Sequence, residues 1–546
     1  MDEALAGAGA SRHGREDPAV ENWKGREMKH EELRVAVAVA IVAAGVSAAT
    51  AQTASPIVVN AGGSLQAALN QAQPGQVIEV QAGATFDGNF ILPVKTGTGY
   101  ITVRTSTPDA QLPGATTRID LAHESLLPTL RSLNTIPALR TAAGARHWRL
   151  IGLRFTTTGG GDIITLGEGE QRDAALVPSD LILDRVIVRG DATKGQKRGI
   201  ALNSADTRIV NSYIAGIRLA GQEGQGIACW NGPGPFVIEN NYIEAAAIGV
   251  LIGGAPPSID QLVPGNIVIR RNLITRPVAW RGGAWIVKNL LELKNARNVQ
   301  IDGNLIENNW EASQAGFAVV FTVRANGNAP WSTIEHVRFE NNIVRHTGSA
   351  INVLGFDDAA PSRQLRDLVI RNNLFTDVSS GAWGGSGIFL QLGDEPADVH
   401  VEHNTVMQTG NIISVYGGTA AAPRLVPGFR FTSNIVKHNS YGMFGNNIGT
   451  GNPAIAAYFP ASVIVGNVMA GGSANLYPAG NVFPTVAELM AQFENAAADN
   501  YRLIATSSLR SLPQGVPGVD VDELQRAMTG STGSPPSPPT GLRILN

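Results

Sequence analysis

The chain has 546 residues, a formal charge of −3, 6% aromatic residues, 62 glycines and one cysteine, Cys229. This balance supplies no basic stripe for a nucleic-acid partner, and a single cysteine excludes an internal disulfide, so the core must hold without cross-links. Abundant glycine beside an ordinary apolar fraction points to tight turns repeated often, with no collagen-like triplet.

Near the N-terminus, Met28-Lys29-His30 and Arg34 precede the apolar run Val35–Val46, and Ala49-Thr50-Ala51 follows it. A basic start, a short apolar run and a small-x-small site read as a secretory signal peptide over residues 28–51, cleaved near Ala51, with 1–27 an upstream extension outside the fold. The run is shorter than the roughly 20 residues a spanning helix needs, so no stable membrane insertion is expected and the mature chain is secreted or periplasmic. Residues 52–146 are expected to form an N-terminal cap and the first coils. Within them Leu65, Ala68, Leu69 and Ala72 share one helical face behind a Ser64 N-cap. Pro74-Gly75 ends that helix and Val77–Val80 alternates as a strand. A helix placed there would cover the open end of a stacked sheet.

Residues 147–480 are repetitive. Segments such as SDLILDRVIV, PFVIENNYI, RNVQIDGNLI, EHVRFENNIV and RDLVIRNNLF align to give one column: Arg185, Ser212, Asn241, Asn272, Asn304, Asn342, Asn373, Asn404, Asn434 and Asn467. Its members recur at intervals of 27 to 38 residues, the period of a solenoid whose units bury their apolar sides only by stacking. Asn tolerates left-handed backbone at a turn, and its amide both donates and accepts, so the column reads as a structural ladder inside a bend. Residues 481–530, with the helical stretch PTVAELMAQFEN, are expected to form a C-terminal cap, and 531–546 a Pro/Ser-rich tail.

The repeats VIENNYI, VRFENNIV and LVIRNNLF resemble coils of the right-handed parallel β-helix of the pectin-lyase-like superfamily, over roughly Ser64 to Val468. The resemblance implies an all-β solenoid. It also implies a polysaccharide partner without fixing an activity, since that superfamily includes lyases, hydrolases, epimerases and inert adhesins. The pectate-lyase Arg-x-Pro-x-x-Arg run is not matched: at Arg276-Pro277-Val278-Ala279-Trp280-Arg281 the arginine precedes proline directly. Of the hydrolase motifs only Asp357-Asp358 is present. Neither family's residue roles carry over.

A second strand after each Asn turn, in copies such as GIALN, GIACW, LLELK, FTVR, INVL and ISVY, alternates apolar inward residues with an outward strip. The strip runs through Asn203, Trp230, Glu292, Lys294, Thr322, Arg324, Asn352, Gln391, Ser414 and Tyr416. With coils about 4.8 Å apart, outward residues of adjacent coils touch. Its middle holds Glu292, Lys294 and Arg324, with Lys288 close by. A cation held beside other cations has a lowered pKa and serves as a base, which is what β-elimination on a uronic-acid polymer requires.

The expected function is therefore binding of an acidic glycan along the strip and its cleavage by elimination. Lys294 or Arg324 is the base, the other cation neutralises the carboxylate, and Glu292 orients the lysine. Lys288, Trp230, Thr322, Asn352, Gln391 and Tyr416 contact sugar. The acidic turns at Asp357, Asp358 and Asp394 are the expected site of any Ca²⁺. Trp280, Trp285, Trp310, Trp331 and Trp383 are further stacking surfaces if they share a groove. A solvated salt-bridge cluster would look the same in sequence. Two other functions fit: a non-catalytic adhesive binder, and a hydrolase pairing Glu292 with Glu307 or Asp357 at carboxyl separations of about 5–9.5 Å. A monomer is expected.

Overall fold

The repeat folds as three short strands per coil. The structure, a computed structural model, describes residues 55–530; the signal peptide expected over 28–51, the extension 1–27 and the tail 531–546 lie outside the described residues. The strands build three parallel sheets of 14, 13 and 13 members, each coil adding one strand to each sheet. In chain order we call them sheets I, II and III. Sheet I holds the strands before the Asn turn, such as Ala296–Asp302 and Ile334–Glu340. Sheet II follows the turn at once, with Tyr242–Ala245 and Ile343–Thr347 as examples. The expected "second strand" is the third, in sheet III: Asn289–Leu293, Phe317–Thr322 and Ser349–Leu354. Sheet II escapes sequence reading because its strands run directly out of the turn and are only three to five residues long, too short to show alternation.

The asparagines between sheets I and II form a ladder. From Asn241 to Asn467, each Nδ2 donates to the Oδ1 of the next asparagine at 2.9–3.1 Å. Each backbone N–H does the same, as Asn342 N to Asn373 Oδ1 at 2.8 Å. The second Nδ2 hydrogen reaches a strand carbonyl one coil back: Asn373 to the Phe339 oxygen at 2.9 Å. Ser212 continues the ladder with its hydroxyl, accepting from Val186 N at 3.1 Å, and Asn481 ends it, accepting from Asn467 at 2.9 Å. Two expectations need correcting. The left-handed backbone falls on the residue before the ladder asparagine, at Gly303 (φ 64°), Asn341 (φ 55°) and Asn372 (φ 54°). Arg185 belongs to that left-handed column (φ 51°), and Val186 takes the ladder position, its N–H bonding Ser212.

A second left-handed column, unseen in the sequence, starts the strands of sheet I: Asn266, Asn298, His336, Asp367 and Asp398 all have φ between 52° and 57°. Asn recurs in the first column and Asn, Asp and His fill these positions of the second, because their short polar side chains make this backbone least costly after glycine.

Inside, the outward–inward alternation stacks apolar residues into one continuous core. Phe321, Phe339, Phe375 and Phe389 pack in sequence, with ring centroids 4.9–6.5 Å apart. At the first coil the helix Leu65–Gln71 is capped by Ser64, whose Oγ accepts from Ala67 N at 3.2 Å. Its Leu65, Ala68 and Leu69 join the core of Val59, Ile78 and Leu92. Among the described residues no helix is long and apolar enough to cross a membrane.

Two segments run along the outside of the Asn turns. From the N-terminal side, the Pro113 and Ala115 carbonyls accept from Arg185 and Asn211 (2.9 Å each), and Arg118 donates to the Asn240 and Arg271 carbonyls. From the C-terminal side the chain returns past Ser433, Thr405 and Asn372, through Gly518 N to the Ser433 oxygen (2.7 Å), Val519 N to Thr405 Oγ1 (3.0 Å) and Asp520 N to Asn372 Oδ1 (2.6 Å). It ends in the helix Val521–Thr529, beside Gly303 and Arg271. The left-handed residues are the docking points for both.

Candidate functional site

Sheet III turns one row of side chains outward through its centre: Leu251, Glu292, Val320, Asn352, Gln391 and Ser414, in register. A parallel row at the strand ends carries Lys294, then Thr322, Leu354, Gly393 and Tyr416. The expected strip is thus two rows, and the structure brings Glu292, Lys294 and Thr322 together. Lys294 Nζ lies 2.8 Å from Glu292 Oε1 and donates to Thr322 Oγ1 at 2.7 Å. The Glu292 side chain is 1% exposed and that of Lys294 14%. Gly253, one coil upstream in the same row, makes the space: a Cβ there would stand 2.8 Å from that of Lys294.

Electrostatics follow from that burial. Desolvation is the largest influence on Lys294 and lowers its pKa below the ordinary 10.5; Glu292 works against this, while Arg324 and Lys288 push it down further. Two positively charged neighbours therefore act on Lys294 in the same direction as its burial.

Arg324 is placed differently from the expectation. The strand ends at Thr322, so Arg324 stands in the following turn, donating to Asp357 Oδ1 at 3.2 Å and Asp358 Oδ1 at 2.8 Å. Burial alone would raise the Asp357 pKa, but the Ala325 and Ala359 N–H groups and Arg324 bring it below the usual value. Lys288 is committed to Glu223, at 2.9 Å. Asp394 pairs with Arg424 at 3.2 Å, so the three aspartates expected to share a metal answer instead to two arginines. Among the described residues no group of three or more His, Cys, Asp or Glu side chains converges as a metal-binding set. The carboxylates named as hydrolase partners of Glu292 each have an arginine beside them. Glu307 sits in sheet II, bound to Arg345 at 2.7 Å, and Asp357 is held by Arg324.

The remaining sugar-contact residues divide by position. Asn352 and Gln391 are half-buried neighbours, the Gln391 Nε2 donating to Asn352 Oδ1 at 3.2 Å. Tyr416 lies flat across Gly393, where a Cβ would fall 2.3 Å from its ring. Burial, then Asp394 and Asp358, raises the Tyr416 pKa and keeps the phenol protonated. Thr322 is buried and serves the lysine. Trp230 lies two coils upstream of Lys294, under the guanidinium of Arg198 at 4.7 Å. Trp280 and Trp310 are buried with Trp285 and Trp383 packed against them, and Trp331 donates to the Leu262 carbonyl at 3.0 Å; these rings do not line one groove. Sequence reading missed Glu223 and Arg218, which no repeat marks because they sit in a loop. It also missed Gly253, which the doubled glycine of GVLIGG does mark.

A family model described as "Right handed beta helix region" matches residues 171–434. Among solved structures, the PL6 family alginate lyase AlyGC is similar at 14% identity, over 89% of this chain and 60% of that one, with a TM-score of 0.52. The catalytic unit of a thermostable GH87 α-1,3-glucanase from Streptomyces thermodiastaticus matches at 13% identity over 80% and 71%, TM-score 0.49. The pectate lyase Pel9A matches at 13% over 59% and 75%, TM-score 0.34. This chain thus spans 60% of AlyGC. No curated protein matches the sequence. The fold is a right-handed parallel β-helix.

Proposed function

We propose that the protein acts outside the cytoplasm as a polysaccharide lyase on an acidic glycan, with Lys294 as the base. The observation that carries this reading is the buried, cation-flanked Lys294, held beside Glu292 at the edge of an outward face. Arginine does not deprotonate in a protein, so Arg324 takes the other role, neutralising the uronate carboxylate in competition with Asp357 and Asp358. Neutral Lys294 removes the proton on the carbon next to that carboxylate. The C–H electron pair becomes the new C=C bond, the glycosidic C–O bond breaks, and the departing oxygen takes a proton from the ammonium just formed. Atoms and charge balance with no water consumed. Glu292 holds the Nζ in place, and Thr322 fixes its direction. The likeness to an alginate lyase supports an acidic glycan as the class to try first.

The test is absorbance of the unsaturated uronate product, with a panel of acidic polysaccharides and with Ca²⁺ present or chelated. Lys294→Arg keeps the charge and the pairing to Glu292 but cannot act as a base. A rise in the wild type that falls at least about 100-fold in this variant supports the assignment. An undiminished rise moves the base elsewhere. Binding with no rise on any polymer favours the adhesive alternative.

A further inference from the structure

The outward face of sheet III is not equally accessible along its length. Upstream of Glu292 the outward row is Ala201, Ala228 and Leu251, yet these are only 0%, 1% and 6% exposed. The loop 281–288 folds back over Ala228 and Leu251. Its Ile286 packs on Ala228, Ile248 and Leu251. Its Trp285 bridges to Ala220 and takes the Arg218 guanidinium at 4.7 Å. Lys288 fastens the loop to Glu223 at 2.9 Å, and Glu223 accepts from Gln225 at 3.1 Å. Downstream, Val320 is still buried at 4%, but beyond it the row opens: Asn352, Gln391 and Ser414 are half-exposed, as are Tyr416 and Phe444. Tyr441, at the far end, is 57% exposed.

We propose that this loop is an end wall, so that a glycan chain lies with one terminus against Trp285 and the rest over Asn352, Gln391 and Ser414. The proposal rests on the elimination reading for its chemistry. Glu292 to Ser414 is four inter-strand steps, about 19 Å at roughly 4.8 Å each, room for several sugar residues on the open side and few on the closed one. The bond over Lys294 is then always close to a chain end, and products are short from the first turnover.

Two measurements test it. With a polymer that is cleaved, double-bond absorbance and viscosity are followed together. The wall predicts small unsaturated products at once and a viscosity that falls only in step with released mass. Glu223→Ala/Trp285→Ala, which unfastens the loop, should lower viscosity several-fold faster per double bond formed. Mid-sized products and early viscosity collapse in the wild type would overturn the wall. The second measurement does not need cleavage: calorimetric stoichiometry of the Lys294→Arg variant on acidic polymers of graded length. A constant number of proteins per chain supports an end-bound mode, whereas a number rising with chain length overturns it, even where elimination itself has been established. If no double bonds form but stoichiometry stays constant, the elimination reading fails and the wall stands. No binding to any acidic polymer removes both.

Discussion

At the scale of single residues, Lys294 sets the terms. Its pKa is lowered by burial first and by Arg324 and Lys288 after, with Glu292 opposing. The unfolded chain therefore holds this proton to higher pH than the folded one, and between the lowered value and 10.5 stability rises with pH. Lys294→Arg, charged throughout, lacks this gain, so the wild-type urea midpoint should climb relative to the variant as pH is raised from 7 toward 10; a constant difference would contradict the shift. The activity of the wild type should rise over the same window, because the neutral amine is the working form. Removing the cation altogether is another matter. Lys294→Met leaves Glu292 buried and unpaired, a loss of about 3–5 kcal/mol, and the double change Glu292→Gln/Lys294→Met should recover part of it in chemical denaturation. Glu292 and Lys294 were legible because alternation within LLELK puts both outward. Arg324 was only half legible: its closeness to Lys294 follows from the repeat, but its pairing with Asp357 and Asp358 depends on where the strand ends, and FTVR alone does not show that. The partner of Lys288 was beyond reach, since Glu223 lies in a loop outside the period.

At the scale of the element, the ladder is the strongest device. Asn373 accepts from Asn342 and donates to Phe339 and Asn404, so Asn373→Ala strands a buried N–H and a buried carbonyl. The expected cost is about 2–5 kcal/mol, read as a lower midpoint in guanidinium. A loss under about 1 kcal/mol would mean the neighbours re-pair. The column was visible in the sequence because identical turns demand identical chemistry, and only its offset by one residue at Arg185 was misread. The left-handed positions were harder, since Gly, Arg, His and Ser stand among the recurring asparagines there. Gly303 is the informative one. Its φ of 64° disfavours any side chain, and a Cβ would sit 2.6 Å from the Ala527 oxygen. Gly303→Ala should lift the helix Val521–Thr529 and expose residues 512–530 to limited proteolysis while leaving far-upstream coils protected. An unchanged cleavage pattern would show that the contact is dispensable.

At the scale of the whole molecule, a stack of coils behaves as a one-dimensional array in which each unit knows only its neighbours, so its ends should fray independently. The two outer segments alter that. One joins the coils of Arg185 to Arg271, the other those of Ser433 back to Arg271, and the two meet at Arg271. A solenoid was readable from the period, and its parallel β-helix form from the resemblance of the repeats to known coils. These segments were not, because their contacts join residues 72 or more positions apart with no periodic mark.

The returning C-terminal segment has a consequence for how such a chain can diverge. Solenoids ordinarily lengthen or shorten by gaining or losing a whole repeat. Here each added coil between Arg271 and Ser433 would slide the docking points by about 4.8 Å against a segment of fixed length, breaking the register of Gly518, Asp520 and Ala527 together. The number of turns in that region is therefore tied to the length of the returning segment.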